Sequence, residues 1–307
     1  MSKKPLIIDC DPGVDDAVML MMALASPDLD VRAITAVAGN VPLSLTSRNA
    51  RMMCDLMGRT DIPVFAGCSR PMVRPPVTAE EFHGESGIAG IDPFEPETPL
   101  ADGHAVTALI GLLRAAGPKG MNLVVTGPMT NVAMALIMAP EIAANIDQLI
   151  LMAGADTEGG NITRFAEFNV FADPHAGAVV LGTDVEATIL SLDVTHQVRA
   201  ADVYLDVIRA MPGDRPATMM KLLDAANVLE GQMRGGNRTP MHDPSTIAFL
   251  LEPSLFQTRR ANVEVETNSG MAFGQTRPTF TDDGQHVWVT DADPDGFFDL
   301  IGRLLAP

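Results

Sequence analysis

Five short, almost wholly apolar runs mark the first two-thirds of this 307-residue chain, at 6–9, 31–38, 121–126, 148–153 and 187–192. A strand with one wet face alternates apolar and polar residues, whereas a strand apolar throughout is covered on both faces. Between and after these runs, 15–25, 43–57, 105–116, 132–138 and 174–181 have helical patterning. The alternation predicts an α/β fold with a mostly parallel central β-sheet flanked by helices. Beyond residue 200 the order loosens. Helices are expected at 200–211, 217–229, 244–251 and 296–305, strands at 261–267 and 286–290, and a glycine-rich loop at 231–240. Residues 67–99 are rich in proline and glycine and predict a long surface excursion, a kind of loop that often carries function. No repeat or low-complexity linker interrupts the chain, so one domain over 1–307 is expected.

Composition narrows the setting. No apolar stretch nears the ~18 residues of a membrane span, and the apolar run before Asp9 is too short for a secretory signal. Cys10, Cys54 and Cys68 are odd in number and form no C-x-x-C, which favours a reduced, cytoplasmic setting over a disulfide framework or zinc cluster. A net charge of −18 disfavours a nucleic-acid partner.

In open α/β sheets, ligands bind beyond the carboxyl ends of the strands. The first run delivers Asp9, Asp11, Asp15 and Asp16 there, the second Gly39 and Asn40, the third Thr126 and Gly127, and the fourth the loop from Gly154 to Asn169. Two carboxylates ~4 Å apart repel by ~1 kcal/mol in water and ~4 kcal/mol at an effective dielectric of 20. Several in one pocket must shift their pKa values or recruit a cation. A helix N-terminus near Asp15 absorbs part of that charge, enough for one aspartate but not four. With oxygen donors only, the cation would be calcium or magnesium. An EF-hand does not fit, because Val14 and Leu20 stand where that loop needs glycine and glutamate. Asp173–Pro174 and Asp243–Pro244 both look like a helix cap followed by a first-turn proline. That reading accounts for Asp173 and, taken alone, for Asp243. Thr126 ends a strand, where its carbonyl either ligates a cation or simply begins a turn.

Together, "DCDPGVDDA", "VVTGPMTNVAMAL", "AEFNVFADP" and "MHDP" resemble the inosine-uridine preferring nucleoside hydrolase family over nearly the whole chain. The resemblance implies a Rossmann-like nucleoside hydrolase fold and calcium-dependent hydrolysis of the N-glycosidic bond of ribonucleosides. It implies calcium ligands at Asp11, Asp16, Asp243 and the carbonyl of Thr126, with Asp11 as general base and His242 assisting the leaving base. Asp15, Asn161, Glu167 and Asn169 would grip the ribose, with Asn40 lining the pocket, Met152 packing near the sugar and His83 covering the base. Asp9 is left to orient the cluster or to accept backbone donors. A homotetramer or homodimer is also implied. The chain departs from the pattern at 217–234, which lacks the tyrosine that several members carry on this helix. Tyr204 is its single tyrosine and Trp288 its single tryptophan. Phe82, Phe165 and Phe168 are candidates for an apolar wall, and Gln232 and Arg234 for a base contact. Two alternatives stand beside this reading. One is a non-catalytic calcium- and ribose-binding protein on the same fold. The other is an aspartyl-phosphate phosphohydrolase with Asp9 as nucleophile, although Gly13 occupies a position where that motif carries Thr or Val.

Overall fold

The computed structural model describes residues 3–235 and 238–306. The chain runs β1 (Lys4–Cys10), α1 (Val14–Ala25), β2 (Leu29–Ala36), α2 (Leu43–Leu56), β3 (Val64–Ala66), α3 (Glu80–His83) and α4 (Ala105–Ala116). It continues through β4 (Met121–Val125), α5 (Thr130–Met138), β5 (Ile146–Met152), α6 (Phe168–Ala172), α7 (Pro174–Leu181), β6 (Ala187–Leu190) and α8 (Leu192–Thr195). It ends with α9 (Asp202–Arg209), α10 (Asp214–Arg234), α11 (Pro244–Leu251), β7 (Phe256–Val265), β8 (Thr276–Phe280), β9 (His286–Ala292) and α12 (Pro294–Leu305).

The strands form one sheet in the order β3-β2-β1-β4-β5-β6-β9-β7-β8. From β3 through β9 all neighbours are parallel, and β7 adds antiparallel to β9 and β8. The apolar runs are apolar because both faces are covered. Leu6, Ile8, Val124 and Ile150 point into a core shared with α1, α2, α10 and α11. Ile7, Leu123, Val125, Leu149 and Leu151 point the other way, onto α4, α5 and α7. Each fully buried side chain of this size contributes about 1.5–3 kcal/mol. No helix among the described residues is long and apolar enough to cross a membrane.

The chain winds outward from β1 to β2 and β3, then returns to β1's other side with β4 and β5. The sheet therefore switches direction at β1 and β4, and their carboxyl ends open a crevice. The register aligns Asp9 with Thr35 of β2 and Val125 of β4.

Several expected boundaries shift. The run 187–192 splits into β6 and the short α8. The 231–240 segment is helical through Arg234, and Gly235 ends it with a left-handed φ of 76°. β3 and β8 were not expected. β3 has only three residues, and β8 carries Pro278 and exposed polar side chains, as an edge strand can.

Candidate active site

Asp11 follows β1 and is 0% exposed. Its Oδ2 accepts the backbone N–H of Asn40 at 2.7 Å, while its Oδ1 is buried without a hydrogen-bond partner. A Cβ on Gly39 would lie 1.9 Å from Oδ2, and one on Gly127 would lie 2.8 Å from Oδ1. Only side-chain-free backbone after β2 and β4 lets this carboxylate sit at the switch point.

Asp16, also 0% exposed, lies in the first turn of α1. Its Oδ2 accepts from the Gly13 N–H at 3.0 Å and from Asn40 Nδ2 at 3.1 Å, and its Oδ1 accepts from the Thr126 hydroxyl at 2.8 Å. The residue therefore caps its own helix while facing the crevice. Carboxylate oxygens of Asp15, Asp16 and Asp243 lie within 4.8 Å of one another. Asp243 arrives from the far end of the chain, at the start of α11, and makes no side-chain cap bond there. Instead its carboxyl hydrogen-bonds Asp16. Asp173, in the same Asp–Pro context, does cap its helix, accepting from Ala176 N–H at 3.1 Å.

Burial pushes all three deep carboxyls up. Asp16 is raised to about 7, and Asp11 and Asp243 well above the ordinary carboxylate range, with their mutual repulsion adding to it. No lysine or arginine among the described residues pairs with any of them. Buried charges are costly unless paired or bound to metal. An unpartnered Asp11 Oδ1 beside three converging carboxylates is the donor set of a hard divalent cation. The Thr126 carbonyl also faces this region, and it accepts from Asn169 Nδ2 at 2.8 Å, leaving it a second lone pair.

Asp9 does something else. Its Oδ1 accepts from the Thr35 hydroxyl at 2.5 Å and from Asn131 Nδ2 at 2.9 Å, beneath the sheet's end. Burial raises it to about 7. Asp9 does not line the cleft, and its Oδ1 is committed to Thr35 and Asn131.

Above the acids lies a cleft with an empty volume of about 950 Å³, open to solvent. Asp15, Asn40, His83, Thr126, Met152, Asn161, Glu167, Asn169, His242 and Asp243 all line it, while Asp11 and Asp16 lie underneath. Glu167 caps α6, taking the N–H groups of Asn169 at 2.7 Å, Val170 at 3.1 Å and Gly154 at 3.0 Å. Burial outweighs these three donors and raises its pKa to about 7. Asn169 Nδ2 donates to the carbonyls of Thr126 and Met152. Asn161 Oδ1 accepts from Phe168 N–H at 2.8 Å. His83 Nδ1 accepts from Val14 N–H at 3.1 Å and lies 3.8 Å from Asp15. Burial lowers the His83 pKa. His242 Nδ1 lies 2.7 Å from the Thr195 hydroxyl.

A profile of the family described as "Inosine-uridine preferring nucleoside hydrolase" matches residues 6–299. The chain belongs to the inosine-uridine preferring nucleoside hydrolase family. It is 39% identical to the pyrimidine-specific ribonucleoside hydrolase RihA of Photobacterium profundum, over 99% of each chain. It is 36% identical to the inosine-uridine preferring nucleoside hydrolase of Crithidia fasciculata, over 90% of this chain and 88% of that one. Among solved structures it resembles the purine-preferring ribonucleoside hydrolase of Gardnerella vaginalis, with a TM-score of 0.91, 28% identity and 98% coverage of both chains. Nucleoside hydrolases cleave N-glycosidic bonds in nucleosides and depend on a metal, and this chain carries the acidic cluster that such dependence requires. The three relatives differ in the base named for them, so family membership alone does not set the base.

Among the described residues no tyrosine lines the cleft. Leu223, Ala226 and Glu230 of α10 line the cleft with Phe82 and Phe168, whereas Phe165 and Gln232 do not. Sequence reading missed the α10 residues, although their spacing marks one helical face. Tyr204 is elsewhere, stacked on Phe298 at 4.2 Å and bonded to Asp295. Trp288 is 2% exposed in the core. The Arg234 side chain lies outside the described residues.

Proposed function

We propose that this chain hydrolyses the N-glycosidic bond of ribonucleosides with the help of a calcium ion. Asp11, Asp16, Asp243 and the Thr126 carbonyl would hold the ion. The all-oxygen donor set and irregular geometry favour calcium over zinc or a rigid magnesium cage. Bound there, the ion would engage the sugar diol and acidify a water. The single observation that carries this reading is the convergence of Asp15, Asp16 and Asp243 beside the unpartnered Asp11 Oδ1, at the floor of the open cleft.

Asp11 acts as general base. Water attacks the anomeric carbon, a C–O bond forms, the C–N bond breaks and its electron pair leaves with the base. Positive charge gathers on the sugar ring as the bond stretches. The buried carboxylates stabilise that charge more than they stabilise the neutral substrate. Asp15, Asn161, Glu167 and Asn169 hold the ribose hydroxyls, Asn40 supports Asp11 and Asp16, and Met152 packs beneath the sugar. His83 covers the base and His242 meets it as it departs. The unpaired cysteines support a reduced cytoplasmic setting, and the family resemblance supports a homotetramer or homodimer.

A reducing-sugar assay with inosine and uridine tests this. Wild-type protein should release ribose, and Asp11→Ala should lose at least about 100-fold in kcat. Wild-type-like turnover by that variant would remove Asp11 as the base. Tight nucleoside binding without ribose release by wild-type protein would instead favour a non-catalytic binder.

A further inference from the structure

His242 is held from behind. It precedes α11, while Thr195 ends the short helix that follows β6. The Thr195 hydroxyl is fully buried, and its one hydrogen-bond partner among the described residues is His242 Nδ1, at 2.7 Å. A hydroxyl carries one proton, and this proton has a single acceptor within reach. The opposite arrangement, with Nδ1–H donating to the hydroxyl, would strand a buried O–H. Donation into Nδ1 makes that nitrogen an acceptor, so the neutral ring keeps its proton on Nε2.

The neighbouring residue fixes the ring plane. His196 packs against His242 with centroids 5.5 Å apart and a 51° tilt. Its own Nδ1 lies 2.7 Å from Glu158 Oε2, in the loop that also carries Asn161 and Glu167. That loop is tied to α8 by Asp193, which accepts the N–H groups of Asp156, Thr157 and Glu158.

We propose that Thr195 is a positioning residue that locks His242 in the tautomer bearing its proton on Nε2, so that a donor is turned toward the departing base. The inference rests on the reading above, in which His242 serves the leaving group. As the C–N electron pair passes to the base, a hydrogen bond from Nε2–H stabilises the charge that collects there. With Nδ1 protonated instead, Nε2 would present a lone pair to an electron-rich leaving group.

Two readouts test it. In 15N-labelled wild-type protein, the ring resonances of neutral His242 should report protonation at Nε2, whether or not the protein turns over any substrate. In Thr195→Val, which keeps the side-chain shape, they should report a mixture of tautomers. In kinetics, Thr195→Val should lower kcat on uridine or inosine by about tenfold, with KM nearly constant. It should change turnover of a 4-nitrophenyl riboside, whose leaving group needs no donor, by less than about twofold. Thr195→Ser should restore the nucleoside rate. Protonation at Nδ1 in wild-type protein would overturn the proposal. So would equal losses on both substrate types, or a serine variant no better than valine. If wild-type protein released no ribose at all, the hydrolase reading would fail, while the resonances would still decide the tautomer.

Discussion

Asp173 and Asp243 each stand directly before a proline that opens a helix, yet only Asp173 caps its helix. Asp173 accepts from Ala176 N–H, Met72 N–H and the Thr130 hydroxyl. Asp243 turns its carboxyl away from α11 and onto Asp16. Asp243→Asn should therefore weaken divalent-cation binding by at least about 100-fold in calorimetric titration. Asp173→Asn should leave that affinity within a few-fold and instead destabilise the fold by about 2 kcal/mol. The reverse pattern would make Asp243 a structural cap.

Asn169 connects two parts of the site that the sequence presents separately. Its amide holds the carbonyl of Thr126, the expected cation ligand, and that of Met152, beside the expected sugar site. Asn169→Ala should raise KM for ribonucleosides and also weaken cation binding about tenfold without substrate present. Unchanged cation affinity would show that the Thr126 carbonyl holds its place without Asn169.

Glu167 gives the cation-free protein a distinctive response to pH. Burial raises its pKa from 4.5 to about 7. The folded protein then holds this proton over a range where the unfolded chain has lost it. More protons are bound to the folded state, so the contribution is full below pH 4.5 and is lost as pH rises toward about 7. The effect amounts to at most roughly 3–4 kcal/mol, because a tenfold change in proton affinity is worth about 1.4 kcal/mol. Urea denaturation in chelator at pH 5 and pH 7.5 should show wild-type protein losing more stability than Glu167→Gln. Parallel losses would place the sensitivity elsewhere.

Much of this could be read from the chain because burial on both faces leaves a plain signature. β1, β4 and β5 each carry a short buried apolar run, and residues just after them line or underlie the cleft. What was not legible depends on distant partners. Asp243 looks like a cap in the sequence because local sequence cannot reveal which way a carboxyl turns. Thr195 and His196 were hidden because a short apolar run does not say whether it stays extended or coils, and 187–192 does both. Glu230 and Leu223 reach the cleft because α10 packs on α1 and α3, a tertiary contact that the local sequence does not show. Asp9 shared its motif with Asp11 and Asp16, but it still lies within β1, where Thr35 and Asn131 take its Oδ1, whereas Asp11 follows the end of the strand.

Ribose release from uridine and inosine, measured before chelation, after exhaustive chelation and after calcium is restored, bears most directly on the central claim. Turnover should vanish with the cation and return with stoichiometric calcium, in wild-type protein but not in Asp243→Asn. Full turnover by cation-free protein would contradict the account, because the buried carboxylates would then be working with no ion between them.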